Sequence, residues 1–77
     1  MKGKLKVMDG SGHTEVVYDT EAGVVEEAEE ILARAAMQSA VLFDAKTKEK
    51  VAAGRDIGKG ALEEHEDLLV VPPLQGG

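Results

Sequence analysis

There is no cysteine in this 77-residue chain. No disulfide can staple it and no thiolate can hold a metal. Nor can it form a thioester through its own side chains, so any thiol chemistry has to come from a partner. The absence fits a reducing compartment. An excess of basic charge is also missing. The formal net charge is −6, which argues against a general nucleic-acid binder, because such proteins need a basic stripe to displace counterions. No apolar run approaches the roughly 20 residues that span a bilayer. The opening residues, Met1-Lys2-Gly3-Lys4-Leu5-Lys6, are basic but have no apolar stretch behind them, so they do not read as a signal peptide. The expected location is cytoplasmic.

Hydrophobic residues make up 43% of the chain and charged residues 31%, ordinary values for a folded domain. The length suits one small domain, which must use its apolar residues efficiently. Lys4 to Met8 alternates polar and apolar residues, the period-two pattern of a strand. Asp9-Gly10-Ser11-Gly12 is dense turn chemistry, and Thr14 to Tyr18 is rich in β-branched and aromatic residues. Together they predict an amino-terminal β-hairpin.

Asp19 and Thr20 can each cap a helix, and Glu21 suits the positive end of its dipole. From Ala22 to Gln38, apolar residues fall at Val24, Val25, Ala28, Ile31, Leu32, Ala35 and Ala36. These spacings of three and four predict a helix that packs its stripe on a sheet. Ala40 to Phe43 is a short apolar run, expected to be a strand with both faces covered. Asp44 to Lys48 reads as a turn, Glu49 to Val51 as a returning strand, and Ala52 to Gly60 as loop. A helical turn is expected near Ala61 to His65. Asp67 to Val71 is the last strand, ended by Pro72-Pro73, since proline cannot donate to a ladder. Leu74-Gln75-Gly76-Gly77 then forms a free tail. Residues 1–71 are thus expected to fold as one domain and 72–77 to project as a flexible Gly-Gly tail, with no internal repeat or linker. With no second long amphipathic helix to cover the stripe, the final strand is expected beside the first and parallel to it, in the middle of a sheet.

Other residues invite chemical readings. Glu26 to Glu30 reads as a solvated helix face or, alternatively, as a contact for a basic partner. Leu42, Phe43 and Val70 form either a partner-binding patch or core, with core favoured for Phe43. His13 and His65 lie far apart, with no ligand spacing that suggests a metal. Gly54 to Gly60 faintly resembles a phosphate loop. It is one residue short between its glycines and has Gly60 where a hydroxyl should bind Mg²⁺, so that reading is rejected. No nucleophile–base pair stands out, and the chain is not expected to be an enzyme.

The order of elements resembles the ubiquitin superfamily over essentially the whole chain. That implies an α+β, ubiquitin-like β-grasp fold with a mixed sheet of four or five strands and one crossing α-helix. The end of the chain is more specific. Asp67, the run Leu68 to Val71, Pro72, Pro73, Leu74, Gly76 and Gly77 look like the end of the molybdopterin synthase small subunit and of the small archaeal modifiers. Ubiquitin itself carries basic residues before its glycines, and this chain does not.

The resemblance implies that an ATP-dependent E1-like activating enzyme adenylates Gly77. ATP and Mg²⁺ are supplied by that enzyme, and no cofactor is expected on this chain. Gly76, Gln75, Leu74, Pro73 and Pro72 would be the residues by which the tail is recognised. Glycines without Cβ can pass a narrow channel, Pro72-Pro73 reduces the entropy lost on insertion, and Leu74 offers an apolar anchor. Three functions are implied. The first is a protein modifier joined through Gly77 to target lysines. It implies an E2-like conjugating enzyme and a JAB-type or other isopeptidase as further partners, with Lys46, Lys48, Lys50 and Lys59 as acceptors if chains form. The second is a sulfur carrier whose Gly77 becomes a thiocarboxylate for molybdopterin, thiamine or tRNA sulfuration. The third is a non-catalytic β-grasp binding module. The modifier is favoured slightly, and the protein is expected to be a monomer.

Overall fold

The computed structural model describes residues 1–9 and 12–73. Strands β1 (Lys2–Asp9) and β2 (Gly12–Asp19) are followed by helix α1 (Glu26–Met37). Then come β3 (Val41–Asp44), β4 (Lys50–Ala53), a 3₁₀ turn (Gly54–Asp56), the short helix α2 (Ala61–Glu64) and β5 (Asp67–Val71). The sheet has five strands in the order β2-β1-β5-β3-β4. β1 pairs antiparallel with β2 and parallel with β5, and β3 is antiparallel to both of its neighbours. The fold is α+β, an open mixed sheet with one main helix, and it is β-grasp-like. The last strand lies beside the first and parallel to it, as the sequence predicts.

One apolar core explains the arrangement. Leu5, Val16, Tyr18, Leu42, Leu68 and Val70 from the sheet meet Ala28, Leu32 and Ala35 from α1, with Ile57 and Leu62 closing the far end. Along β5 the alternation is strict, with Leu68 and Val70 buried and their neighbours only half-buried. This is the pattern of a strand covered on one face.

Several expectations need correction. The helix begins at Glu26, not Ala22, and its N-cap is Val25 with no side-chain cap bond. Val24 is instead drawn back to Asp19 by reciprocal backbone bonds, each 2.9 Å, so the chain must finish a turn before it can wind. Gly23 at φ +74° makes that turn feasible, and the Asp19 carboxylate accepts from the N–H groups of Glu21 and Ala22. Val24 consequently leaves the buried stripe and is 61% exposed. Ala52 and Ala53 belong to β4, not to the following loop. The register slips by one residue between Leu42 and Phe43, where Val51 of β4 is the extra residue of a bulge. β3 is covered on one face only. Leu42 is core, but Phe43 points the other way and is half-buried outside the core.

The exit from α1 explains how β3 starts. Ser39 adopts φ 58°, the left-handed region. The Ala40 N–H bonds the Ala35 carbonyl at 3.0 Å and the Ser39 N–H bonds that of Ala36 at 3.3 Å. That is a Schellman stop, and buried Ala40 against buried Ala35 completes its apolar contact.

Candidate functional site

The predicted site is the end of the chain, so its foundation is β5. Lys4 to Val7 pair with Asp67 to Val70 on one side, and Val41 to Asp44 pair with Val71 to Leu68 on the other. Pro72 and Pro73 come directly after it and are exposed. Leu74, Gln75, Gly76 and Gly77, with the turn at Gly10 and Ser11, lie outside the described residues.

A polar lock fixes the start of β5. Tyr18 reaches across from β2, and its hydroxyl donates to the His65 carbonyl. That reach is open because position 3 is glycine. A Cβ there would lie 2.7 Å from the Glu66 carbonyl oxygen and against the Tyr18 ring. The Lys4 N–H bonds the same Glu66 carbonyl at 2.8 Å, and the Ala45 N–H bonds that of Asp67 at 2.9 Å. Asp44 sits at the centre. One carboxylate oxygen accepts from the Lys46 N–H at 2.8 Å and the Thr47 N–H at 3.0 Å. The other lies 2.7 Å from His65 Nδ1. An ionised carboxylate can only accept, so Nδ1 carries the proton. Lys46 Nζ adds a 2.9 Å pair to Glu66.

These contacts shift the titration of the groups that make them. The Thr47 N–H first, then the His65 ring and the Lys46 N–H, hold the Asp44 carboxyl below its ordinary value against partial desolvation. Burial first, then the carboxylates of Asp67, Asp44 and Glu66, pushes the Tyr18 phenol up. The hydrogen bond and charge of Glu66 raise Lys46. Sequence reasoning did not find this lock. Its only visible trace was Asp44 opening a turn.

The sheet face opposite the helix is the second feature along β5. Phe43, Leu69, Val41 and Val71 alternate with the buried positions, so they share this outer face. Leu69 stands between Lys6 and Phe43, and Val71 is opposite Val41. Lys6 and Lys50 flank the row at either side. The apolar patch on this face is therefore Phe43, Leu69, Val41 and Val71. The predicted Leu42 and Val70 are core, at 0% and 3% exposure. The glutamates of α1 lie on the opposite side of the molecule, with Glu30 paired to Arg34 and Glu29 to Lys59.

Among the described residues no group of three or more His, Cys, Asp or Glu side chains is arranged to hold a metal ion. None of the helices described is long and apolar enough to cross a membrane. None of the family models, curated proteins or solved structures compared with the chain matches it.

Proposed function

We propose that this chain is a ubiquitin-like protein modifier, activated at Gly77 by an ATP-dependent E1-like enzyme and joined to lysines of target proteins. The observation that carries the reading is the join between β5 and the chain beyond it. A strand held from both sides runs without a break into exposed Pro72 and Pro73, and the sequence continues Leu74-Gln75-Gly76-Gly77. A glycine-ended segment that follows such a strand can be drawn into a partner while the body stays folded. The Gly77 carboxylate attacks the α-phosphorus of ATP and expels pyrophosphate. A partner thiolate then displaces AMP, and a lysine amine displaces the thiolate. The enzymes supply that chemistry and this chain is the group carried. The outer-face row of Phe43, Leu69 and Val71 is the surface on which the activating enzyme rests.

The sulfur-carrier reading is favoured by a different observation, the Pro-Pro, hydrophobic, variable, Gly-Gly ending. It shares the adenylate and differs in the acceptor, because sulfur replaces oxygen at Gly77. One experiment separates the two. The protein is incubated with ATP, Mg²⁺ and lysate of its host, then examined by intact-mass and peptide mass spectrometry. Isopeptides ending in Gly77 are expected. A sulfur-for-oxygen exchange at the terminus would replace the modifier with the carrier. Neither product, with non-covalent partners unaffected by deletion of Gly76 and Gly77, would leave a β-grasp binding module.

A further inference from the structure

With no cysteine, the sulfur of this chain is confined to 3 methionines, and tryptophan is absent as well. A two-electron oxidant such as hydrogen peroxide therefore finds its main targets in thioethers. The three stand in different settings. Met37 ends α1 and is 88% exposed. Met1 precedes β1, where its carbonyl accepts from the Thr20 N–H at 2.9 Å. Met8 lies within β1 and is 47% exposed.

The register of the sheet gives Met8 its meaning. Leu5 is core and Val7 packs against it, so Lys4, Lys6 and Met8 alternate onto the outer face. Lys6 is level with Leu69 and Val7 with Val70, which sets Met8 level with Val71. Val71 pairs with Val41, and Val41 with Ala53. Met8, Val71, Val41 and Ala53 thus make one row across four strands, apolar from end to end. The next row is Lys6, Leu69, Phe43 and Lys50, apolar in the middle and charged at both ends. Met8 extends the apolar patch at the place where the neighbouring row has a lysine. Half of it is open, so the sulfur is within reach of a small oxidant and of a partner's surface.

We infer that the Met8 thioether is a modification site, and that its oxidation to the sulfoxide weakens docking on the outer face. The inference rests on the reading of that face as the surface on which the activating enzyme rests. A sulfur lone pair attacks one oxygen of hydrogen peroxide. An S–O bond forms as the O–O bond breaks, and the sulfur gives up two electrons. The second oxygen takes the proton of the first and leaves as water. A thioether is apolar and polarizable and adapts to the surface laid on it. A sulfoxide instead carries a strong acceptor oxygen, which an apolar partner would strip of water without replacing the lost hydrogen bond. Met37 is open to the same reaction, but its sulfoxide stays in solvent and belongs to no apolar row, so it serves as an internal control. Met8 is absent from the buried core, so the effect falls on docking and not on folding. Reduction of the sulfoxide restores the apolar row.

The test treats the full chain carrying Met37→Leu with hydrogen peroxide, removes the peroxide by desalting and maps the product by peptide mass spectrometry. Met8 is expected to gain one oxygen. The treated protein is then given ATP, Mg²⁺ and host lysate. Its initial rate of product formation at Gly77, isopeptide or thiocarboxylate, is expected to fall at least about fivefold, with an unchanged urea midpoint. A methionine sulfoxide reductase is expected to restore the rate. Met8→Gln, a polar side chain that no reductase removes, is expected to lose rate without peroxide. In Met8→Leu the treated and untreated rates are expected to be equal. An undiminished rate after confirmed oxidation of Met8 would overturn the inference and leave the activation of Gly77 standing. An equal loss in Met8→Leu, which keeps Met1, would overturn it too, as would a urea midpoint that falls with the rate. No product from untreated protein would overturn both readings.

Discussion

β5 and β2 belong to one sheet but live under different constraints. β5 is bonded on both sides, buries Leu68 and Val70, and is fastened at its start by the Tyr18–His65 and Asp44–His65 contacts. β2 has a neighbour on one side, and its outer backbone groups at Glu15 and Val17 meet no described residue. β5 is thus well able to resist a pull, because extracting it would break two ladders and empty the core. The strand at the edge bears little of the fold on its outer side and is open to a new neighbour.

The contrast breaks most sharply at Leu68, the fully buried second residue of β5. Leu68→Ala leaves a cavity among residues already in place and is expected to cost about 2–5 kcal/mol. Small domains hold only about 5–15 kcal/mol in total, so the loss should be plain in a urea unfolding curve as a lower midpoint with an unchanged slope. Gly3→Ala attacks the same strand from its neighbour. The new methyl group meets the backbone carbonyl of Glu66 and the Tyr18 ring, neither of which can yield without disturbing the lock. Overpacking of this kind costs about 1–3 kcal/mol. A Gly3→Ala protein as stable as the parent by calorimetry would show that the start of β5 is not held as described.

How much of this was legible depends on the range of the forces involved. The bounds of β5 could be read because its signals are local: an apolar run, and prolines that end it. The core face of α1 was legible for the same reason, as a stripe of regular spacing. The start of α1 was not, because Asp19 and Thr20 are good caps in isolation and only pairing with Val24 removes that role. Phe43 looked like core by residue type, yet alternation from Leu42 sends it to the outer face. The lock was the least legible part. Gly3, Tyr18, Asp44 and His65 come from four separate places, and nothing about any one of them announces the other three. The chemistry proposed for Gly77 rests on residue types alone, because Leu74 to Gly77 lie outside the described residues.

The lock also has a signature in pH. The Thr47 and Lys46 N–H groups and the His65 ring favour ionised Asp44, so its folded-state value lies below the ordinary 3.8. The stabilisation is therefore complete above that ordinary value and is lost as the pH falls through the folded-state one. Asp44→Asn keeps an acceptor but no titrating group. Its stability relative to the parent should be lower at neutral pH, and the gap should narrow on acidification below about pH 4. Urea midpoints measured from pH 7 to pH 2.5 check this, and a gap that stays constant would mean that Asp44 contributes no charge-dependent holding of β5.

The smallest effect is expected on the other strand. Val17 is 62% exposed and lies opposite Lys4 on the outer face. Val17→Thr retains the β-branch that suits a strand and removes nothing from the core, so the change in stability should stay within about 0.5 kcal/mol. Hydrogen exchange gives the same contrast without a mutation. The amides of Glu15 and Val17 should exchange rapidly through local exposure, while that of Leu69, held between two strands, should exchange only when the sheet opens. Slow exchange at Val17 in the isolated protein would show that something already occupies the edge of β2, and the distinction between a closed and an open strand would have to be redrawn.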